Sequence, residues 1–220
     1  MADVRRRGQF YTAGAVALVI LLLIHILTLP RVEYRPMEPG RARALRQMLE
    51  SLTANALAYA TRSSESSQYT SRASHFVSEA LDRVDYRILR VESYRVEAGG
   101  GPGRAWARAE YVVEGNLYKV EASFAMSITG FRVYFSNYTL EYLADIRLYA
   151  EVDGRPCREV YVEETMLLDE SLSVKSLTNL DNGTFIVVIG LGPMPPPEGS
   201  KLTLLVSDWR GVRVEVGVEV

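Results

Sequence analysis

The stretch Tyr118-Lys-Val-Glu-Ala-Ser-Phe-Ala-Met-Ser-Ile128 decides the fold class of this 220-residue chain. Its even-numbered residues are aromatic, aliphatic or small, and its odd-numbered residues are mostly charged or polar. Successive side chains of a strand point to opposite faces, so this alternation predicts a strand with one buried face and one wet face. Strands of that kind are typical of antiparallel sheets.

Similar strand patterns flank this stretch on both sides. They cover residues 104–114, 131–135, 140–152, 185–189, 202–206 and 212–220. Thr129-Gly130 is interpreted as a turn, and Asp153-Gly154 indicates a hairpin whose return strand would be residues 157–162. Short strands at this spacing predict an antiparallel β-sandwich over residues 86–220, immunoglobulin-like or related, and the immunoglobulin-like pattern is clearest over about residues 130–220.

Residues 40–85 show a helical period instead. Ala42, Leu45 and Leu49 begin an apolar stripe with spacings of three or four residues, which predicts an amphipathic helix over residues 40–60. A serine-rich bend at residues 63–67 separates it from a second helical pattern around Phe76. We interpret both apolar faces as packing on the sheet, which makes the chain an α+β protein.

Residues 9–29 carry no charge and are almost wholly apolar. A helix rises about 1.5 Å per residue, so this segment is long enough to cross a hydrocarbon core of roughly 30 Å. It predicts a single transmembrane helix surrounded by membrane lipid. Three prolines at positions 30, 36 and 39 then indicate a short stalk over residues 30–39, because proline interrupts a helix.

Arg5, Arg6 and Arg7 form a basic leader that is followed by Gly8 and Gln9 and then by the apolar segment. This arrangement resembles the class III signal peptide of archaeal type IV pilin-like proteins. The resemblance covers about residues 5–29. It implies a prepilin-type peptidase as a partner, which would cut between Gly8 and Gln9 and leave residues 1–8 behind in the cytosol. It also implies assembly with other pilin-like subunits.

Two positions depart from the pattern of filament-forming pilins. Many members carry Glu at the fifth mature position, where this chain has Ala13. Pro30 would break the continuous helix that usually enters the head domain. These departures favour a tethered head, or a minor pilin or pseudopilin, over a main filament subunit.

Charge indicates the orientation only in part. The leader arginines argue for a cytosolic N-terminus, but further arginines follow the apolar segment. Two Asn-x-Thr sequons, at Asn137 and Asn182, are N-glycosylation acceptors and favour an extracytoplasmic head of a glycoprotein. The expected location is therefore the cell membrane, with one pass and the C-terminal domain outside.

Composition narrows the classes of function. The chain has 25 Lys and Arg against 27 Asp and Glu, a net charge of −2, so there is no basic field for nucleic acid. Cys157 is the single cysteine, so an intrachain disulfide and a cysteine-based metal site are excluded; we interpret it as a small buried hydrophobe. With only His25 and His75, no nucleophile elbow and no phosphate loop, the sequence predicts no catalytic residues, no metal and no cofactor.

The sequence thus favours a non-catalytic cell-envelope protein of the pilin-like kind, alone or in a homo- or hetero-oligomer. The alternative is a simple single-span surface protein whose head binds a protein or a glycan. A membrane-tethered hydrolase is a third hypothesis; it would use acidic residues such as Glu163, Glu164, Asp169, Glu170 and Asp181. The 13 tyrosines are interpreted mainly as strand residues, although tyrosine is also enriched at recognition surfaces.

Overall fold

The computed structural model describes residues 39–63, 65–84 and 90–220. The predicted transmembrane helix, the stalk up to residue 38 and the leader lie outside these residues. In the described ranges no helix is long and apolar enough to cross a membrane. The elements are α1 Pro39–Ala60, a 3-10 turn Ser66–Gln68, α2 Tyr69–Asp82, and the strands β1 Val91–Gly101, β2 Arg104–Val113, β3 Asn116–Ser136, β4 Glu141–Val152, β5 Arg155–Pro156, β6 Val160–Leu167, β7 Glu170–Ser171, β8 Ser173–Asn179, β9 Thr184–Gly192, β10 Lys201–Asp208 and β11 Arg213–Glu219.

The prediction of helices followed by antiparallel β-structure is confirmed. The larger sheet has the order β1-β2-β3-β4-β9-β8, with β5 paired to β4, and the smaller sheet has the order β11-β10-β6-β7. Every pairing in both sheets is antiparallel. Strands β1 to β4 form a meander, since each pairs with the next along the chain.

Strand β3 continues through Thr129-Gly130, so the predicted turn at these residues is wrong. The register with β4 shifts here: Ile128 lies opposite Leu148, and Phe131 lies opposite Ile146. Thr129 is therefore the extra residue of a bulge, and an extra residue exchanges the two faces of a strand. Apolar residues occupy even positions before the bulge and odd positions after it, and both sets share one face of the sheet.

The predicted hairpin at Asp153-Gly154 is only partly present. The turn exists, but its return strand is the two-residue β5, in which Arg155 pairs with Val152. Residues 157–162 do not return along β4. Instead β6 begins at Val160 and crosses to the smaller sheet, where it pairs with β10.

The larger sheet has one continuous buried face. The part of this face formed by β1 to β3, here called the lower part, carries Ala107 and Tyr111 of β2. The part formed by β4 and β9, here called the upper part, carries Ile146 and Val187. Helix α1 covers the lower part, where Thr53 Oγ1 and Tyr111 Oη lie 3.1 Å apart. The inner face of the smaller sheet supplies the other main set of buried residues, including Leu204 and Val216.

Two further contacts fix the helices and the smaller sheet. Helix α2 lies along β1, because Thr70 Oγ1 donates to the Ala98 carbonyl at 2.7 Å. In the turn between β1 and β2, Gly103 donates its N–H to the Glu215 carbonyl and accepts from Met126, both at 2.7 Å. Gly103 has φ +69°, and a Cβ there would collide with the Met126 carbonyl, so only glycine fits this position.

The meander has two distinguishable ends. The start of α1 lies beside the β2–β3 turn, because Arg41 forms an ion pair with Glu114. The turn between β3 and β4 lies at the other end of β3, 20 residues along the strand from Asn116. At about 3.3 Å per residue, the two ends of this strand are at most roughly 65 Å apart.

Candidate functional site

The residues predicted as functional fall into two groups. Arg5, Arg6, Arg7, Gly8 and Gln9 lie outside the described residues. Asn137 and Asn182 lie inside them, and both are exposed in turns between strands. Asn182 has φ +50° and precedes the buried Gly183, whereas Asn137 opens the β3–β4 turn.

The acidic residues named for the hydrolase hypothesis are distributed over several elements. Glu163 and Glu164 lie on β6, and Asp181 lies in the turn before β9. Glu163 forms an ion pair with Arg213 at 2.6 Å. Within the described ranges, no three His, Cys, Asp or Glu side chains are placed to hold a metal ion together.

The structure also contains a largely buried ionic network that the sequence pattern does not indicate. Arg210 donates through Nε to Asp208 at 2.8 Å, through Nη1 to Asp153 at 2.8 Å and through Nη2 to the Ser123 carbonyl at 2.7 Å. The Asp208 side chain is fully buried, and that of Arg210 is 5% exposed. Asp208 Oδ1 also accepts the backbone N–H groups of Arg210 and Val212.

This network joins the two sheets. Arg210 lies in the β10–β11 turn of the smaller sheet, while Ser123 and Asp153 belong to β3 and the β4–β5 turn of the larger one. Every nitrogen of the guanidinium group has an acceptor, and buried charges are tolerated only when they are paired in this way. The network therefore has a structural role.

Cys157 lies near the network and is buried. Burial raises the pKa of its thiol, and the negative charge of Asp208 raises it further. The thiol donates to the Glu159 carbonyl at 3.0 Å. A buried thiol with a raised pKa is mostly protonated and unreactive, which agrees with its interpretation as a small hydrophobe.

The exposed aromatic surface that best fits a recognition site is the hairpin tip, defined as residues 135–142. Tyr138 is 97% exposed and Leu140 is 68% exposed. Below them the rings of Phe135 and Tyr142 pack edge to face, with centroids 5.1 Å apart. The turn is held by the Leu140 N–H, which donates to the Ser136 carbonyl at 2.8 Å.

The composition of the hairpin tip resembles that of recognition loops. Tyr138 is surrounded in sequence by Ser136, Asn137 and Thr139, and tyrosine with small polar residues is typical of loops that bind partners. Large apolar side chains that a monomer leaves exposed as a group mark interaction surfaces. A sequence signal existed here, because Tyr138 lies in a turn, where strand propensity does not explain an aromatic residue.

A second loop leaves the larger sheet beside the hairpin tip. Gly192 of β9 pairs with Tyr142 of β4, so residues 193–197 leave the sheet at the same end of the strands as the hairpin tip. This proline-rich loop carries the exposed Met194 and no charge up to Pro197. Two turns whose outermost residues, 137–140 and 193–197, carry no charge and expose apolar side chains thus lie next to each other at this end of the sheet.

Comparison with known proteins gives no family. No protein-family model matches the chain. No curated protein matches it either.

Proposed function

We propose that this chain is a non-catalytic, membrane-anchored protein of the cell envelope, of the pilin-like kind and in the role of a minor pilin or pseudopilin. Residues 9–29 would be the membrane helix, with the N-terminus cytosolic and residues 86–220 as an extracytoplasmic β-sandwich head, immunoglobulin-like or related. The observation that carries the proposal is that the start of α1 and the hairpin tip lie at opposite ends of the 21-residue strand β3.

Only nine residues, 30–38, separate Leu29, the last apolar residue of the predicted membrane helix, from the beginning of α1. In this proposal the start of α1 would be the membrane-proximal end of the head. The hairpin tip is at the other end of β3, roughly 65 Å along the strand. An anchored protein that presents its exposed aromatic residues away from the membrane is suited to contact a partner.

The partners follow from the same proposal. Membrane lipid would surround residues 9–29, a prepilin-type peptidase would process Gly8-Gln9, and other pilin-like subunits would pack beside the membrane helix. The exposed position of Asn137 is accessible to a glycosylating enzyme outside the cell. No catalytic residue, metal or cofactor is part of the proposal.

Processing is tested by mass spectrometry of the mature protein purified from its native membrane. We expect the chain to begin at Gln9, and a Gly8→Val variant to keep its leader. An intact leader on the wild-type protein would refute the pilin-like assignment and favour the alternative, a simple single-span surface protein. Normal trimming of the Gly8→Val variant would count against the proposed cleavage site.

Orientation is tested on intact cells with a membrane-impermeant maleimide. The wild-type chain offers only Cys157, which is buried, so it serves as the unlabelled control. A Tyr138→Cys variant places a thiol at the most exposed residue of the hairpin tip. We expect labelling of this variant on intact cells; labelling only after lysis would place the head in the cytosol and refute the proposal.

A further inference from the structure

The outer face of the smaller sheet carries a groove that the proposed function does not use. Leu205 of β10 lies opposite Glu164 of β6 on one side and Glu215 of β11 on the other. Two residues before Leu205 on the same strand, Thr203 lies opposite Met166 of β6. Side chains of the other parity, such as Leu204, are buried between the sheets. This outer face forms the floor of the groove. It therefore has a half-buried apolar strip with a carboxylate on each side.

Two segments that lie outside the smaller sheet form a wall of this groove. One comprises Thr61–Ser63, Ser66 and Tyr69 between and at the ends of the helices, and the other is the β1–β2 turn at residues 101–104. The cavity they enclose with the floor has a volume of about 440 Å³. A second cavity of about 440 Å³ continues towards β7 and shares Glu164, Leu205 and Arg213 with the first. Each volume lies within the range of small-ligand sites, roughly 300–1,000 Å³, and together they form an elongated site.

The polar groups of the groove are balanced in charge. Three arginines, Arg62, Arg104 and Arg213, face three glutamates, Glu163, Glu164 and Glu215. Arg213 is paired with Glu163, whereas the side chains of Arg62 and Arg104 have no ion-pair partner among the described residues. Tyr69 adds a hydroxyl whose pKa is raised by burial and by the charge of Glu215, so it stays protonated and can donate.

We infer that this groove binds a linear, uncharged oligosaccharide. Positive and negative side chains lie side by side in the groove, so some of them would repel any charged ligand, whereas an uncharged polyhydroxylated ligand can accept hydrogen bonds from the arginines and donate to the glutamates. Vicinal sugar hydroxyls can donate to Glu164 and accept from Arg104, and the apolar face of a sugar ring can cover Leu205. The elongated shape suits several consecutive sugar rings. The inference extends the proposed extracytoplasmic head, where such polymers would be met, by naming a ligand class and a site away from the hairpin tip.

The test uses the full-length chain in detergent on an array of linear neutral and acidic oligosaccharides. We expect binding to neutral members at millimolar or lower concentration. Loss of one charge-assisted hydrogen bond weakens binding by about tenfold, so Arg104→Ala and Glu164→Gln should each reduce affinity by about that factor. Arg108→Ala is the matched control, since Arg108 is an exposed β2 arginine paired with Glu121 at 3.0 Å and does not line the groove.

Three outcomes would overturn the inference: no binding to any neutral oligosaccharide, a preference for acidic ones, or equal losses in Arg104→Ala and Arg108→Ala. A Tyr138→Ala variant separates the two surfaces, because a loss confined to this variant would place the sugar at the hairpin tip instead. Binding is measured on purified protein, so a failure here leaves the orientation test unaffected. Cytosolic labelling of Tyr138→Cys would in turn refute the proposed function without changing the binding result.

Discussion

Replacing Arg210 by methionine should cost a large part of the stability of the two-sheet domain. Methionine keeps much of the aliphatic length but removes the guanidinium donors to Asp208, Asp153 and the Ser123 carbonyl. Asp208 then remains as a fully buried carboxylate with only the backbone N–H groups of residue 210 and Val212. Removing one partner of a buried ion pair costs about 3–5 kcal/mol. The two remaining backbone donors place the expected loss near the lower limit, about 3 kcal/mol.

The measurement is equilibrium unfolding of the full-length chain in detergent with urea, followed by tryptophan fluorescence. With a slope of about 2 kcal/mol per molar urea, a loss of about 3 kcal/mol lowers the midpoint by about 1.5 M. Arg132→Met is the control, because Arg132 forms an ion pair with Asp145 but its side chain is 71% exposed. Exposed pairs contribute little, so its midpoint should stay close to that of the wild type.

A lysine at the same position makes the test independent of whether the methionine variant folds. Arg210→Lys keeps the positive charge but cannot place three donors on three acceptors in fixed directions. Its midpoint should lie between those of the wild type and Arg210→Met. If Arg210→Met unfolds at the same midpoint as Arg132→Met, the network does not hold the two sheets together and the reasoning is refuted.

Three further predictions concern single positions. Gly103→Ala should lower stability by clearly more than Gly154→Ala in the same urea assay. Both glycines have positive φ, but only at Gly103 would the new Cβ meet a carbonyl, that of Met126. Equal losses of stability in the two variants would contradict this prediction. Burial raises the pKa of Tyr111 above its ordinary value of 10.0. The unfolded chain therefore loses this proton first, stability falls as pH rises above about 10, and Tyr111→Phe should show a smaller fall; identical slopes would contradict the assignment. Asn137→Gln should remove a glycan mass from the peptide of natively produced protein, and an unmodified wild-type peptide would show that the sequon is unused.

The sequence predicts the strands of this fold well where side chains alternate. Residues 118–128 form the first half of β3 as expected, and the even-numbered valines of the last strand lie towards the core at Val214 and Val216. The helical stripe of α1 likewise buries Leu45 and Leu49. These predictions succeed because local periodicity and burial agree over many residues, which is the strongest signal a single sequence contains.

Partner choice between strands was predictable only in part. Asp153-Gly154 indicates a turn, but nothing local states that the chain leaves the larger sheet after Pro156. Residues 157–159 bridge the two sheets, and the Asp153 side chain is used there by Arg210, which is 57 residues away. The groove on the smaller sheet is likewise assembled from segments far apart in sequence, so no sequence motif predicts it. Contacts of this kind depend on tertiary packing.

Thr129 shows how one residue lets a single strand serve two environments. Before it, Phe124 and Met126 lie on the face that also carries Tyr111, where α1 packs. After it, Phe131 lies opposite the buried Ile146, on the part of the same face that continues into β9. Without the extra residue, the apolar side chains after position 129 would point to the opposite face, because successive side chains of a strand alternate between its two faces. The bulge therefore allows one strand of 21 residues to run from the α1 end to the hairpin tip with its apolar side on a continuous core.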